Sequence, residues 1–207
     1  MKRYNIVALF GKSGSGKDTI LNLLCQDYPE YNRKIGCTSR PPRENEKDGI
    51  DYNFLTYTDF ITDSDDFLEQ NEFNGWRYGT RFKDLKPAPV INIGVFNIDG
   101  IEQMLKKSIM TVRLTDTKGA VLTTWEEQRL RILPIKIITS DKVRLIHQLQ
   151  REINPNIREI LRRYDADEKD FKDIPFSYCG VYNEDGLLQD AKRDVSNIIN
   201  SYPMFFK

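Results

Sequence analysis

A glycine-rich stretch near the start of the chain carries the first residues whose types and spacing could do chemistry. Residues 11–17 read GKSGSGK and satisfy the pattern G-x-x-x-x-G-K. In such a loop, successive backbone N–H groups converge on phosphate oxygens and the lysine adds a mobile cation. The next residue is usually a Ser or Thr that serves Mg²⁺, but this chain has Asp18 there and Thr19 one position later. The sequence therefore predicts a phosphate loop in which the position that usually serves Mg²⁺ is altered.

Asp18 allows more than one interpretation. A carboxylate so close to bound phosphates would repel them unless it meets the metal or turns to solvent. An acid in the first turn of a helix also interacts favourably with the helix dipole. We expect Mg²⁺ to be held by Thr19 and Asp18. The residues expected to hold the bound phosphates are Gly11, Lys12, Ser13, Gly14, Ser15, Gly16, Lys17, Asp18 and Thr19.

A second set of polar side chains lies between residues 36 and 80. It forms four short motifs, TSRPPR at 38–43, GIDYNF at 49–54, FLE at 67–69 and YGT at 78–80. Arginines grip a phosphate through paired N–H groups, and tyrosine hydroxyls can complete the shell. These residue types favour a second phosphate-bearing ligand beside the first.

The four motifs and their intervals resemble the nucleoside-binding segment of guanylate kinases, which carries T-T-R-x-P-R, G-x-D-Y-x-F, F-[IL]-E and Y-G-[ST]. The resemblance implies that the GMP phosphate is bound by Arg40, Arg43, Tyr52 and Tyr78. It also implies that Glu69 accepts hydrogen bonds from guanine N1 and the 2-amino group, and that Thr80 lies near O6. A buried acceptor selects guanine, because adenine offers no donors there and would leave the carboxylate unpaired.

Two departures from the family pattern concern recognition of the base. Gly36 and Cys37 stand where the family often has a further serine that contacts guanine. The family's D-x-D-x-x-G-V after the next buried strand is represented here by VFNIDGI at 95–101. One alignment puts Asn97 at the last Asp, and another, with a small gap, lets Asn97 and Asp99 fill both acidic positions. We include Asn97 and Asp99 in the expected GMP site.

The segment REINPNIREILRRYDADEKDF at 151–171 resembles the family's lid, whose arginines close over the donor phosphates. Arg151 and Arg163 match the lid arginines best, ahead of Arg158 and Arg162. Positioned cations of this kind stabilise the negative charge that spreads during phosphoryl transfer. The alternative is a basic helix face paired with neighbouring acids. The residues expected to act in catalysis are Lys17, Arg40, Arg151 and Arg163.

Two further residues complete the expected sites. VYNED at 181–185 resembles the family's V-x-N-x-D after the last strand, which implies that Asn183 borders the adenine of ATP. His147 is the only histidine and lies in an amphipathic pattern. No Ser/His/Asp or Cys/His set forms around it, so we expect a structural role.

Hydrophobic periodicity predicts the elements that position these residues. YNIVALF at 4–10 predicts a buried strand before the phosphate loop, and DTILNLLCQDY after it predicts a helix. Further strand and helix pairs begin at PVINIGVFN, LPIKIIT and FSYCGVYN, and IREILRRY has helical spacing. Residues 35–60 predict short strands, and TDFITDSDDFLEQ at 58–70 predicts short helices.

This order predicts an α/β fold, with a P-loop NTPase-type parallel sheet flanked by helices, a small β-rich nucleoside monophosphate-binding insert and a helical lid. We expect one guanylate-kinase-like domain over 1–207. Its expected parts are a core (1–34, 81–150 and 172–207), a nucleoside monophosphate-binding region (35–80), a lid (151–171) and an extra insertion at about 109–131 that forms a hairpin or a helical addition.

Composition excludes several other classes of protein. The 207 residues include 31 basic and 31 acidic side chains, without the basic excess that bulk nucleic-acid or membrane-surface binding needs. The three cysteines form no zinc-type cluster, which favours a reducing, cytoplasmic setting. No stretch reaches the roughly 18 apolar residues of a spanning helix. We expect a monomer or homodimer that binds small-molecule nucleotides, not nucleic acid or membrane.

The resemblance implies ATP-dependent, Mg²⁺-assisted phosphorylation of GMP or dGMP to the diphosphate. A broader nucleoside or deoxynucleoside monophosphate kinase is the first alternative, favoured by the missing serine before residue 38. The second is a catalytically silent guanylate-kinase-like interaction domain that binds partner peptides. Such relatives have degraded phosphate loops, whereas this chain keeps Lys17.

Overall fold

Strands and helices alternate along most of the chain. The computed structural model describes residues 2–42, 46–62, 66–73, 75–107, 109–115, 121–151, 154–202 and 205. The strands in these residues are β1 (Lys2–Phe10), β2 (Asn32–Arg33), β3 (Cys37–Thr38), β4 (Asn53–Phe54), β5 (Phe67–Phe73), β6 (Trp76–Arg81), β7 (Ile91–Val95), β8 (Ile109–Thr115), β9 (Val121–Ile138) and β10 (Cys179–Tyr182). The helices are α1 (Lys17–Asp27), α2 (Tyr57–Thr62), α3 (Ile98–Lys106), α4 (Asp141–Gln150), α5 (Ile157–Asp170) and α6 (Leu188–Ser201). None of the helices in these ranges is both long enough and apolar enough to span a bilayer.

The larger of two sheets is built around β1. Its strands run parallel in the order β10-β9-β1-β7-β2, and β8 pairs with β9 in the antiparallel direction. Leu9 is in register with Val95 of β7 and with Ile135 of β9, so the three strands end at one edge. The loops that follow β1, β7, β9 and β10 share that edge, which is where open parallel sheets bind ligands.

The hydrophobic core lies on both faces of this sheet. Every residue of β1 from position 4 to position 10 is buried, as its uninterrupted apolar run predicts. Val7 and Leu9 pack on one side with residues of α1 and α6, whereas Ile6 and Ala8 pack on the other with residues of α3. The end of β1 that leads into the phosphate loop is therefore packed on both faces of the sheet.

The smaller sheet holds the acceptor motifs. Its strands follow the order β4-β3-β6-β5, and Cys37, Phe60 and Phe67 form its own apolar cluster. The prediction of short helices over 58–70 holds only for α2, because Phe67–Phe73 is strand β5, paired antiparallel with β6. A register shift between Phe67 and Glu69 leaves residues 67–69 all buried, which hides the alternation that would have predicted a strand.

The extra segment at about 109–131 is a β-hairpin in its described part. β8 pairs with the first half of β9, from Ile109 opposite Arg129 to Thr115 opposite Val121. The sequence is compatible with either a hairpin or a helical addition here, and its apolar pattern predicts a strand only over 133–139. β9 begins earlier because β8 supplies backbone partners for residues that β1 does not reach.

Asn92 in β7 offers a test of how the larger sheet is joined to its loops. Its buried amide donates to the carbonyls of Asn5 (3.0 Å) and Lys86 (2.8 Å) and accepts from the backbone of Lys86 (2.8 Å) and from Asn32 (2.8 Å). We expect Asn92→Leu, which keeps the branched shape of the side chain but removes its polar atoms, to lower the free energy of unfolding by about 3 kcal/mol, since each buried group left unpaired costs about 1–3 kcal/mol.

Denaturation in urea measures this cost. The exposed Asn200 of α6 is the matched control, and Asn200→Leu should change stability by no more than about 0.5 kcal/mol. Equal effects of the two substitutions would contradict a structural role for Asn92.

Candidate active site

The phosphate loop, residues 11–17, turns sharply between β1 and α1. Gly14 and Gly16 adopt left-handed backbone angles, with φ of 79° and 85°, which cost glycine little and other residues more. Gly16 caps α1, and the backbone of Ile20 donates to its carbonyl at 2.9 Å. This arrangement turns the positive end of α1 toward the loop, as a phosphate site requires.

A buried guanidinium holds the outer turn of this loop. Arg144 of α4 is fully buried; its Nε donates to the Ser13 carbonyl at 2.9 Å, and its terminal nitrogens form ion pairs with Asp141 and Asp167. Asp167 of α5 in turn accepts from the backbone N–H of Ser13 at 2.8 Å. The ring of Tyr164 lies 4.4 Å from the guanidinium. Two helices therefore fix the loop before any nucleotide binds.

Three further side chains anchor the loop. The Nδ1 of His147, for which a structural role is expected, lies 2.9 Å from the Gly14 carbonyl. Thr139 Oγ1 and Asn183 Nδ2 both donate to the Ser15 carbonyl, at 3.1 and 2.9 Å. The structure thus places Asn183, expected beside the adenine, directly against the phosphate loop.

Lys17 is the central cation of the donor end. Burial lowers the pKa of its ammonium, and the nearby carboxylates of Asp18 and Asp167 partly oppose this effect. Its Nζ donates a weak hydrogen bond to the Lys12 carbonyl at 3.4 Å, while the Lys12 side chain is paired with Glu168. Lys17 is half-buried, so its attraction to an anion is stronger than that of a fully hydrated ammonium.

Arg40 and two tyrosines meet at the acceptor end. The guanidinium lies 5.7 Å from the ring centre of Tyr52, whose ring is 6.2 Å from that of Tyr78. Arg40 donates to both carboxylate oxygens of Glu46 at 2.8 Å. Burial works against the charge of Arg40, but its hydrogen bonds with Glu46 and Tyr78 outweigh it and raise its pKa. Arg43 lies outside the described residues.

The base-recognition residues form a separate polar network. Glu69 is 5% exposed and accepts from Thr80 Oγ1 at 2.6 Å and from Asn71 Nδ2 at 3.0 Å. Asn71 also donates to Asn97 Oδ1 at 3.2 Å, and this oxygen accepts from a backbone N–H in the first turn of α3 at 2.7 Å. Asp99 lies exposed in that turn. The contacts therefore favour Asn97 over Asp99 as the residue beside Glu69.

One cavity joins the donor and acceptor ends. Its volume of about 850 Å³ is of the size that holds nucleotides and similar ligands. The residues of the expected sites that line it are Ser13, Gly14, Gly16, Lys17, Asp18, Thr19, Arg40, Tyr78, Arg151, Arg163 and Asn183. Among the described residues of those sites, Gly11, Lys12, Ser15, Tyr52, Glu69, Thr80, Asn97 and Asp99 lie outside the lining.

The arginines of α5 are held by a neighbouring acid. Glu159 accepts from Arg162 at 2.7 Å and from Arg163 at 3.0 Å. The hydrogen bond from Arg162, reinforced by that from Arg163, lowers the pKa of Glu159 to about 2. Glu159, Arg162 and Arg163 all line the cavity, whereas Arg158 is exposed on α5. Arg162 and Arg163 are therefore paired with an acid, as the alternative interpretation of the helix predicts. They also line the cavity, as a role in binding the donor phosphates requires.

Comparison with known proteins identifies the family. The family model described as guanylate kinase matches residues 3–202. The chain belongs to the guanylate kinase family. The resemblance found in the acceptor motifs is thereby confirmed for nearly the whole chain.

Curated guanylate kinases match shorter stretches. The enzyme of Campylobacter jejuni strain RM1221 is 32% identical over 149 residues, which cover 70% of this chain and 71% of that protein. The alignments to the guanylate kinases of Lawsonia intracellularis (39% identity) and Schizosaccharomyces pombe (37% identity) cover 39% and 42% of this chain. They span only 37% and 44% of the length of those relatives.

A solved guanylate kinase has the same fold. The crystal structure from Anaplasma phagocytophilum superposes with a TM-score of 0.60 at 14% identity, and the match covers 96% of this chain and 86% of that one. The predicted α/β fold class is therefore confirmed.

Several residues of this guanylate-kinase site were missed by sequence reasoning. Asn71 lies two residues after Glu69 on β5, so strand alternation would have placed both side chains on one face. Glu46 follows the arginine motif closely, but nothing in the sequence predicts its pairing with Arg40. Arg144 and Asp167 meet only because α4 and α5 pack together.

We expect Asp167→Ala to destabilise the protein by about 3 kcal/mol, because removing one partner of a buried ion pair leaves the other charge uncompensated. Asp167→Asn should cost less, since its amide oxygen can still accept from Ser13. The exposed Asp165 on the same helix supplies the control, and Asp165→Ala should have little effect. Chemical denaturation of the three variants decides, and a stability loss no larger for Asp167→Ala than for the control would contradict this role.

Proposed function

We propose that this protein transfers the γ-phosphate of ATP to GMP or dGMP, giving ADP and GDP or dGDP. The observation that carries the proposal is the single cavity lined by Lys17 of the phosphate loop on the donor side and by Arg40 and Tyr78 on the acceptor side. Membership of the guanylate kinase family supports the same reaction.

The donor nucleotide would be held by the phosphate loop and the cations around it. Backbone N–H groups at the start of α1 and the Lys17 ammonium would bind the ATP phosphates. Arg151, at the end of α4, and Arg163 of α5 line the same cavity and would neutralise charge that develops on the transferring group. We propose that closure of residues 151–171 excludes water and suppresses ATP hydrolysis. Asn183 would bind beside the nucleotide.

The acceptor phosphate would be held by Arg40, Arg43, Tyr52 and Tyr78. Arg40 is already bonded to Glu46 through two oxygens, so an arriving phosphate would compete with that carboxylate for its donors. Glu69, Thr80 and Asn97 would bind the base, and the exposed Asp99 would lie beside them in the first turn of α3. The two hydrogen bonds to Glu46 would hold the Arg40 guanidinium in place until the acceptor phosphate binds.

The chemical step needs alignment more than proton transfer. An anionic oxygen of the acceptor phosphate forms a bond to the γ-phosphorus, and the bond from that phosphorus to the oxygen bridging it to the β-phosphate breaks, leaving ADP. The acceptor oxygen already carries negative charge, so no strong general base is required. Lys17 and the arginines contribute by holding the two phosphates in line and balancing their charge.

Mg²⁺ fits the donor end through oxygen ligands. The part of the chain that the structure describes contains no cluster of three or more His, Cys, Asp or Glu side chains able to hold a metal, but Mg²⁺ is usually bound by one or two protein oxygens together with substrate phosphates. Asp18 and Thr19 line the cavity at the start of α1 and would supply those oxygens. The ion would add positive charge beside the phosphates. We further propose a cytoplasmic monomer or homodimer.

The acceptor assignment is tested by a panel of GMP, dGMP, AMP, CMP and dTMP in a coupled assay. We expect GMP and dGMP to be preferred over AMP in kcat/KM by at least about 100-fold, because a site built to bond a substrate donor strongly rejects an analogue that lacks it. Glu69→Gln should lower kcat/KM for GMP by about 100-fold and leave ATP affinity unchanged. The exposed Glu72 of the same strand is the control, as Glu72→Gln. Equal use of AMP and GMP by the unmodified enzyme would overturn the base assignment.

The metal assignment is tested by Mg²⁺ titration. Removal of Mg²⁺ with EDTA should abolish phosphoryl transfer, and Asp18→Ala should raise the half-saturating Mg²⁺ concentration about tenfold, because it removes an anionic oxygen ligand. Asp194→Ala, on the exposed face of α6, should leave the titration unchanged. An unaltered Mg²⁺ dependence in Asp18→Ala would mean that Asp18 acts only as an acid in the first turn of α1.

A further inference from the structure

Lys34 occupies an unusual position between the two sheets. It directly follows β2, and its backbone N–H donates to the Ile93 carbonyl of β7 at 2.8 Å. Its side chain lies across Gly94, where an added methyl group would come within 2.7 Å of the lysine stem. The absence of a side chain at Gly94 therefore lets Lys34 lie flat against β7 and fixes the path of its stem.

The ammonium of Lys34 is only partly satisfied by these surroundings. Its Nζ donates to the Val95 carbonyl at 3.2 Å and lies 4.3 Å from the ring centre of Phe96. Among the described residues, no carboxylate lies within 4.0 Å of it, the ion-pairing distance. An ammonium has three donors, so Lys34 can still bond to a group on its remaining side.

That remaining side faces the acceptor residues. A methyl group added at Gly36 would lie 3.6 Å from the Lys34 Nζ and also 3.6 Å from the ring of Tyr52. Gly36 is one of the two residues that stand where guanylate kinases often have a serine that contacts guanine. The Lys34 ammonium thus lies beside the space that a side chain at position 36 would occupy.

Lys34 and Glu69 carry opposite charges but do not form an ion pair with each other. Burial lowers the pKa of Lys34, while the negative charge of Glu69 opposes that shift. The Glu69 oxygens are bonded to Thr80 and Asn71 instead of the ammonium. A ligand that presents donors to the carboxylate and acceptors to the ammonium would satisfy both groups.

We propose that Lys34 is a further specificity-determining residue, which donates to the O6 and N7 edge of the acceptor guanine. Guanine carries acceptors at O6 and N7, whereas adenine carries a donor amino group in place of O6. The Lys34 ammonium can therefore donate to guanine. With adenine it would face another donor, the amino group that replaces O6. This inference rests on the proposed function, and it gives this chain a means of reading O6 without the family's serine.

The test compares two acceptors within each variant, so that the folded fraction cancels. GMP is compared with 2-aminopurine riboside 5′-monophosphate, which keeps the 2-amino group but has no oxygen at C6. Lys34→Met and Lys34→Gln should each lower the ratio of the two kcat/KM values by about 10- to 100-fold, the discrimination that one good base contact supplies. The exposed Lys142 of α4 is the control, and Lys142→Met should leave the ratio unchanged.

A second ratio separates base reading from a general structural effect. IMP has the same O6 and N7 as GMP but lacks the 2-amino group, so the GMP to IMP ratio should not change in either Lys34 variant. Adding Gly36→Ser to Lys34→Met should restore part of the lost GMP use, because it returns a hydroxyl donor to the same space.

Failure of this inference is distinguishable from failure of the proposed function. An unmodified enzyme that phosphorylates neither GMP nor IMP would overturn the proposed function, and the inference with it. An active enzyme whose ratio of GMP to the 2-aminopurine nucleotide is unchanged by both Lys34 substitutions would overturn the inference alone.

Discussion

The phosphate loop depends on one charge that is hidden from water. Arg144 is fully buried and bonds to the backbone of the loop through Ser13. A buried guanidinium is tolerated only when carboxylates and carbonyls surround it, so Asp141 and Asp167 have to remain in place. Asp167 belongs to α5 and Arg144 to α4. The phosphate loop is therefore linked to both helices and to the arginines on them that line the cavity. Closure of α5 over the donor would therefore be coupled to the loop that binds it.

The acceptor end is attached to the larger sheet through polar contacts as well as through Leu68 of β5, which packs in the apolar core formed with β1 and α3. Gln103 of α3 bonds to both the N–H (3.1 Å) and the carbonyl (3.0 Å) of Gln70, and Lys107 bonds to the carbonyls of Phe67 and Leu68 at 3.2 and 3.1 Å. These contacts supply hydrogen-bond partners along the outer edge of β5. The strand that carries Glu69 is therefore aligned by a helix of the larger sheet.

Local patterns in the sequence predicted the parts of the molecule that depend on neighbouring residues. The strand at 4–10, the glycine loop and α1 are contiguous, and the structure has all three. Elements set by distant partners were not predictable in the same way. The ion pair between Arg144 and Asp167 joins residues 23 positions apart on two helices, and β5 was predicted as helix because its register shift removes the alternation. Lys34 carried no sequence signal, since its environment is made by β7 and by Tyr52.

The bare backbone at Gly94 limits how this site can diversify. The stem of Lys34 occupies the volume that a side chain at position 94 would need, so the two positions are epistatic. A residue larger than glycine at 94 pushes the stem away, and a shorter residue at 34 removes both the obstacle and the ammonium. A change of base preference at position 34 therefore requires compatible residues at both 34 and 94. The length of the side chain at one position determines which residues the other position tolerates.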